Sequence, residues 1–158
     1  MLRILLICTG NTCRSPMAEA LLQARIKAAG LEDKVKVLSA GLAVFGPAPA
    51  SAHARTAMAK RGLDIASHRS RPLLPELAAA ADVILTMTAA HKRAVADRFP
   101  AAAGKVFTLA EYAGEAGDVA DPFGGSEEHY EACAVEMERF AEKIWQKIAQ
   151  LAGKREQM

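Results

Sequence analysis

Aromatic side chains make up only 5% of this 158-residue chain, with one Trp, two Tyr and five Phe. Ring stacking therefore cannot carry the core, and because 34 residues are alanine, bulk must come from Leu, Ile, Val and Met. Cysteine is sparse as well. Three thiols cannot close the framework of bridges that staples small secreted folds, so a reducing cytoplasm is the expected setting. A surplus of one charge is also missing. Twenty Lys and Arg against 18 Asp and Glu leave a net +2, too little for a protein whose main task is to grip a nucleic-acid backbone, and no nucleic-acid partner is expected.

Long hydrophobic runs are absent too. The stretch from Leu77 to Ala90 is mostly alanine and is interrupted by Asp82, which predicts no membrane span. At the N-terminus, the apolar run ending Ile7-Cys8 is short, and Ile precedes the cysteine where a signal-peptide site needs a small residue. His53, His91 and His129 are scattered, with no metal-ligand spacing among them or with the cysteines; the expectation is no metal, and solvent-facing or capping histidines. No repeat or linker divides the chain, so residues 1–158 read as one domain.

Four short runs rich in Val, Ile and Leu read as buried parallel strands: Ile4 to Cys8, Val35 to Ser39, Val83 to Met87 and Val106 to Leu109. Helical patterns lie between them. Pro16 to Ala29 follows Ser15 as a cap and stops at Gly30; Ser51 to Arg61 stops at Gly62; Pro75 to Ala81 and Ala89 to Phe99 are shorter. From Glu127 to Leu151, Tyr130, Cys133, Met137, Phe140, Ile144, Ile148 and Leu151 recur at spacings of three and four, the stripe of a helix lying across a sheet. The tail from Lys154 to Met158 reads as frayed. This alternation predicts an α/β fold of three layers, a four-stranded parallel sheet with helices on both faces. Ligands in such folds sit beyond the carboxyl ends of the strands, here in the loops after strands one, two and four.

The first of those loops carries the chemistry. Cys8-Thr9-Gly10-Asn11-Thr12-Cys13-Arg14-Ser15 joins a strand to a helix N-terminus, where free backbone N–H groups form a cradle for an oxyanion. Arg14 offers a planar fork for two phosphoryl oxygens, and the same positive field is expected to lower the pKa of Cys8 so that its thiolate attacks. Gly10 and Asn11 tolerate the left-handed backbone angles that such a loop needs. An amine or alcohol leaves only if protonated, and the candidate acid is Asp121, in the irregular segment Asp118-Val119-Ala120-Asp121-Pro122-Phe123. Pro122 stiffens that loop and Phe123 is a candidate pocket wall.

The run CTGNTCRSPMAE from Cys8 to Glu19, with Ser39-Ala40-Gly41, Ser67-His68 and Asp121-Pro122-Phe123, resembles the low-molecular-weight protein tyrosine phosphatase family along essentially the whole chain. The resemblance implies hydrolysis of phosphorylated protein substrates through a phosphocysteine, without metal or cofactor. It casts Cys8 as nucleophile, Arg14 as phosphoryl holder and Asp121 as proton donor and then base. Ser15 would hydrogen-bond the thiolate, Asn11 would shape the loop with support from Ser39 and His68, and Thr9, Gly10, Thr12 and Cys13 would complete the binding loop. It also implies a reversible Cys8–Cys13 disulfide that shields the nucleophile, the alternative being that Cys13 is a small side chain tucked under the loop; Cys133, on the apolar stripe of the last helix, reads as core.

Within the family, Thr12 stands where tyrosine-directed members carry Ile, and Phe123-Gly124 stands where they carry Tyr. That pattern resembles the bacterial protein arginine phosphatases, and a polar Thr12 suits a guanidinium leaving group better than an apolar ring. Asp118 could help bind that group or be a solvated loop acid. A tyrosine phosphatase is the nearest alternative. Arsenate reductase would need further relay thiols, and a phosphocysteine carrier would have no use for Asp121.

Overall fold

Every residue of Leu2–Cys8 except Arg3 is buried, and these seven residues form the central strand β1. The structure, a computed structural model, describes residues 1–156. After β1 come α1 (Arg14–Ala28), β2 (Val35–Gly41), α2 (Ala52–Ala59), α3 (Pro75–Ala80), β3 (Val83–Thr86) and α4 (Ala89–Arg98). A 3-10 turn (Pro100–Lys105), β4 (Val106–Thr108), the short α5 (Leu109–Tyr112) and α6 (Glu127–Glu156) complete the order. The 3-10 turn and α5 fall in stretches that carry no helical period. Thr108 opens α5 with a capping box, its hydroxyl accepting from the Glu111 N–H while Glu111 accepts from the Thr108 N–H.

All strand pairs are parallel and the order is β2-β1-β3-β4. Alternate residues of β1 serve two cores. Leu2, Ile4, Leu6 and Cys8 pack with α1 and α6, while Leu5 and Ile7 join Ile84, Val95 and Val106 on the face covered by α3 and α4. Burial on both faces explains why the strands read as continuous apolar runs. The largest fully buried side chains are Ile, Leu and Met, as the scarcity of aromatics requires. In α6, Tyr130, Cys133, Met137, Phe140, Ile144 and Ile148 are buried, so its stripe does face the sheet.

Several boundaries differ by one or two residues, and two of the differences have a clear physical reason. Helix α1 begins at Arg14, and Cys13 precedes it with no side-chain cap, because the Ser15 hydroxyl turns to Cys8 instead of closing the helix end. At the other terminus α6 is not frayed at Lys154 but continues to Glu156, where Arg155 donates to the Met1 carbonyl and pairs with Asp82. The remainder of the predicted frayed tail, residues 157–158, lies outside the described residues.

From β1 the chain steps to β2 on one side and later to β3 on the other, so the strand order reverses between β1 and β3. A crevice opens at the carboxyl ends of strands at such a point. Cys8 is the last residue of β1 and stands at its edge.

Candidate active site

The loop from Cys8 to Ser15 closes around the sulfur. Asn11 is the one non-glycine residue with positive φ among the described residues, at 56°, and its N–H donates to Cys8 Sγ at 3.3 Å. Gly10 is not left-handed, contrary to expectation: a Cβ there would lie 3.7 Å from Thr12 Oγ1, an ordinary contact, so Asn11 alone makes the bend. The close approach is instead at Gly41, where a Cβ would come within 2.6 Å of the Thr9 carbonyl oxygen.

The Asn11 side chain is fully buried and fully used. Its Oδ1 accepts from the Arg71 N–H at 3.0 Å, which leaves Nδ2 to donate to Ser15 Oγ at 2.8 Å and Ser39 Oγ at 2.9 Å. Ser39 donates onward to Glu19 Oε1 at 2.5 Å. With Ser15 Oγ accepting from Asn11, its own proton is free to point at Cys8 Sγ, 2.9 Å away. His68 Nε2 lies 2.7 Å from the Asn11 carbonyl oxygen. Arg71 thus serves the loop through its backbone, and Arg69 folds its guanidinium onto the Ala66 and His68 carbonyls.

Burial pushes the Cys8 thiol above its ordinary value, against the opposing pull of the Ser15 hydroxyl and N–H, the Asn11 N–H and the Arg14 charge. The positive field read from the sequence is present in those contacts, and burial works against it. Arg14 is 4% exposed, and its Nη1 donates to the Val119 carbonyl at 3.0 Å while Nη2 lies 3.5 Å from Asp121 Oδ2. Asp121 Oδ1 accepts from the Phe123 N–H at 3.1 Å, a local turn that presents the carboxylate. Cys8 to Arg14 line one cavity of about 200 Å³ with Asp121 and Phe123, so the two separate stretches do meet. Phe123 is a wall at its mouth, 74% exposed.

All three cysteines are free thiols. Cys13 Sγ lies 3.2 Å from Tyr130 Oη and 3.6 Å from Ser51 Oγ, a polar setting behind the loop. Burial drives Cys133 up to about 12, as befits a core thiol. Asp118 Oδ1 accepts from the Ala89 N–H at 2.9 Å and so holds the start of α4. His129 fulfils its capping role, with Nδ1 accepting from the Ser126 N–H at 3.0 Å.

His91 departs from the reading as a solvent-facing residue. It is half-buried, and Nε2 lies 2.8 Å from Thr9 Oγ1. The turn after β3 therefore belongs to the site, which widens the set of loops expected from the strand pattern. The only signal in the sequence was topological, a helix starting beside β1 at the reversal of strand order.

A cysteine and a buried arginine in a strand-to-helix loop, facing an aspartate on a distant loop, can hold a tetrahedral oxyanion between a nucleophile and a proton donor. The family model described as low molecular weight phosphotyrosine protein phosphatase matches residues 3–155. The chain belongs to that family. Among its relatives, a protein-arginine-phosphatase of Geobacillus stearothermophilus is 43% identical over 147 residues, covering 92% of this chain and 95% of the relative. A probable low molecular weight protein-tyrosine-phosphatase EpsP of Ralstonia nicotianae is 42% identical over 120 residues, covering 76% of this chain and 77% of that one. Of solved structures, a cysteine-to-serine variant of the YwlE arginine phosphatase with a phosphorylated active-site serine superposes with a TM-score of 0.89 at 41% identity, over 94% of this chain and 96% of that one. Like its relatives, this family member is a cysteine-dependent phosphatase with a four-stranded parallel sheet. No described helix is long and apolar enough to cross a membrane.

Proposed function

We propose that this family member is a protein-arginine phosphatase that hydrolyses the P–N bond of phosphoarginine in proteins. The observation that carries the choice is Thr12, which is among the residues lining the cavity that holds Cys8 and Asp121. A hydroxyl there can meet a guanidinium N–H, whereas the ring of phosphotyrosine gains nothing from it. The wider match to the Geobacillus stearothermophilus relative supports the same choice.

In the proposed cycle the Cys8 thiolate, steadied by the Ser15 hydroxyl and the Asn11 N–H, attacks phosphorus opposite the guanidino nitrogen. The fork of Arg14 and the N–H groups of residues 9–14 hold the phosphoryl oxygens. As the P–N bond breaks, Asp121 in its acid form gives its proton to the leaving nitrogen, and the bond pair goes with that nitrogen. The resulting Asp121 carboxylate takes a proton from water, whose oxygen displaces Cys8 from phosphorus and releases phosphate. Thr9, Gly10, Thr12 and Cys13 complete the cradle, and Phe123 lies against the substrate side chain. Residues 1–158 act as one domain in this reading, and the sparse, odd set of three cysteines supports work in a reducing cytoplasm. The near-neutral charge supports protein substrates over nucleic acid.

Acid quench of the enzyme turning over a phosphoarginine peptide tests the covalent step. The expected result is a phosphorylated peptide containing Cys8, enriched in Asp121→Asn and absent from Cys8→Ala. Turnover by Cys8→Ala would contradict the reading.

A further inference from the structure

Thr9 follows β1 and His91 lies in the first turn of α4, after β3, so their 2.8 Å contact spans the point where strand order reverses. The other ring nitrogen, Nδ1, is buried and has no hydrogen-bond partner among the described residues. Burial holds the ring below its ordinary pKa, helped by Arg14 from the cradle and opposed by Asp118 and Asp121 from the acid loop. As the third residue of α4, it also meets the positive end of that helix. The ring is accordingly neutral near pH 7 and carries one proton. On Nδ1 that proton would be an orphaned donor in a dry spot; on Nε2 it leaves only an unused lone pair there, the smaller cost. The Nε2–H therefore donates to Thr9 Oγ1.

The same turn also grips the acid loop. The Ala89 N–H donates to Asp118 Oδ1, and the Met87 carbonyl just before it accepts from the Val119 N–H at 2.9 Å. Thr9 has one other tie, its carbonyl accepting from the Ala43 N–H at 3.0 Å. The carbonyl bond holds the peptide unit that follows Thr9 and the hydroxyl bond holds its side chain, so Thr9 is fixed at two points. Fixed so, Thr9 aims the first N–H groups of the cradle.

We propose that His91 is a positioning residue of this phosphatase: through Thr9 it fixes the direction of the cradle's first N–H groups, from a helix turn that also holds the acid loop. The proposal rests on the reading of the cradle as a phosphoryl site. It requires no contact between His91 and substrate.

Inhibition by inorganic phosphate, kcat/KM and thermal melting of His91→Ala, His91→Gln, Thr9→Val and the His91→Ala/Thr9→Val pair provide the test. Loss of the tie should weaken phosphate binding and lower kcat/KM, each by about tenfold, the order expected when a positioned donor drifts. Gln places an amide nitrogen where Nε2 lies and should recover most of the loss. Thr9→Val should match His91→Ala, and the pair should be no worse than either. The loss should be equal for phosphoarginine and for an aryl phosphate with a good leaving group, since the tie acts on the phosphoryl hold.

A His91→Ala protein with unchanged phosphate affinity and kcat/KM, or a loss that Gln does not recover, would overturn the proposal. Should His91→Ala fail to fold, Thr9→Val decides by the same criteria. Cys8→Ala separates the two readings: turnover without the thiol overturns the phosphatase mechanism itself, while inactivity there beside a kinetically silent His91→Ala overturns only the role of His91.

Discussion

Asn11 carries more of the site's shape than any residue that would touch the reacting bond. It is the loop's left-handed residue, its N–H faces the sulfur, and its side chain ties Ser15, Ser39 and the Arg71 N–H together. Ala tolerates positive φ less well than Asn, and it would leave those buried partners without the side chain that satisfies them. The expected cost is about 3 kcal/mol or more from the backbone strain and one or more unsatisfied groups together, measurable as a lower urea midpoint, with turnover of phosphoarginine falling as well. Asn11→Gly should remove the strain but not the lost hydrogen bonds, and should therefore fall between the two. The motif made Asn11 legible as a shaping residue. What could not be read was the direction of each hydrogen bond, because Ser39 and Arg71 reach it from distant segments only once β2 and the loop after it are in place.

At the scale of elements, the site is a meeting of a strand end, a helix start and an overhanging loop. The acid loop is pinned at Val119 by the Met87 carbonyl and by Arg14, and Asp121 hangs two residues beyond. Its task in the proposed cycle is protonation of the leaving group, so Asp121→Asn should slow phosphoarginine turnover by about 10²–10⁴-fold. In kcat/KM, which does not include the later step where Asp121 activates water, the loss should be far smaller for an aryl phosphate whose leaving group needs no proton. Stopped assays on both substrates check this, and an equal loss on both would contradict the role. The strands were legible as continuous apolar runs, and the five longer helices from their patterns and from the glycines that end α1 and α2. The start of α1 was misread because Ser15 has the composition of a cap, while the fold spends its hydroxyl on the sulfur. Positions of α5 and His91 depended on packing across the sheet, which no local pattern encodes.

At the scale of the whole molecule, a polar tie closes the sheet at the end away from the site. Asp82 accepts from the Arg3 N–H at 2.8 Å and pairs with Arg155, which also donates to the Met1 carbonyl, so both chain ends meet beside β3. Burial alone would raise the Asp82 carboxyl, but the Arg3 N–H and the Arg155 guanidinium outweigh it and hold the pKa below the ordinary value. A carboxyl depressed in the folded state adds stability that is fully present above its unfolded pKa of about 4 and is lost as pH falls through the lower folded value. Asp82→Asn should therefore melt below the parent at pH 7, and the gap should close as the pH drops through that range. A gap independent of pH would assign the tie's value to packing instead. Because the tie lies at the opposite end of β1 and β3 from Cys8, turnover of the folded variant at 25 °C should match the parent.

The scarcity of aromatics reaches the site as well, where Phe123 is the one aromatic ring among the described residues that line the cavity holding Cys8. The central claim is that this cavity serves a guanidinium leaving group. Its most direct test is the ratio of kcat/KM for a phosphoarginine peptide to that for the matching phosphotyrosine peptide, measured on the parent and on Thr12→Ile. The account predicts a ratio well above one in the parent that falls at least tenfold in the variant, with the phosphotyrosine rate rising. A parent that hydrolyses phosphotyrosine faster would contradict it.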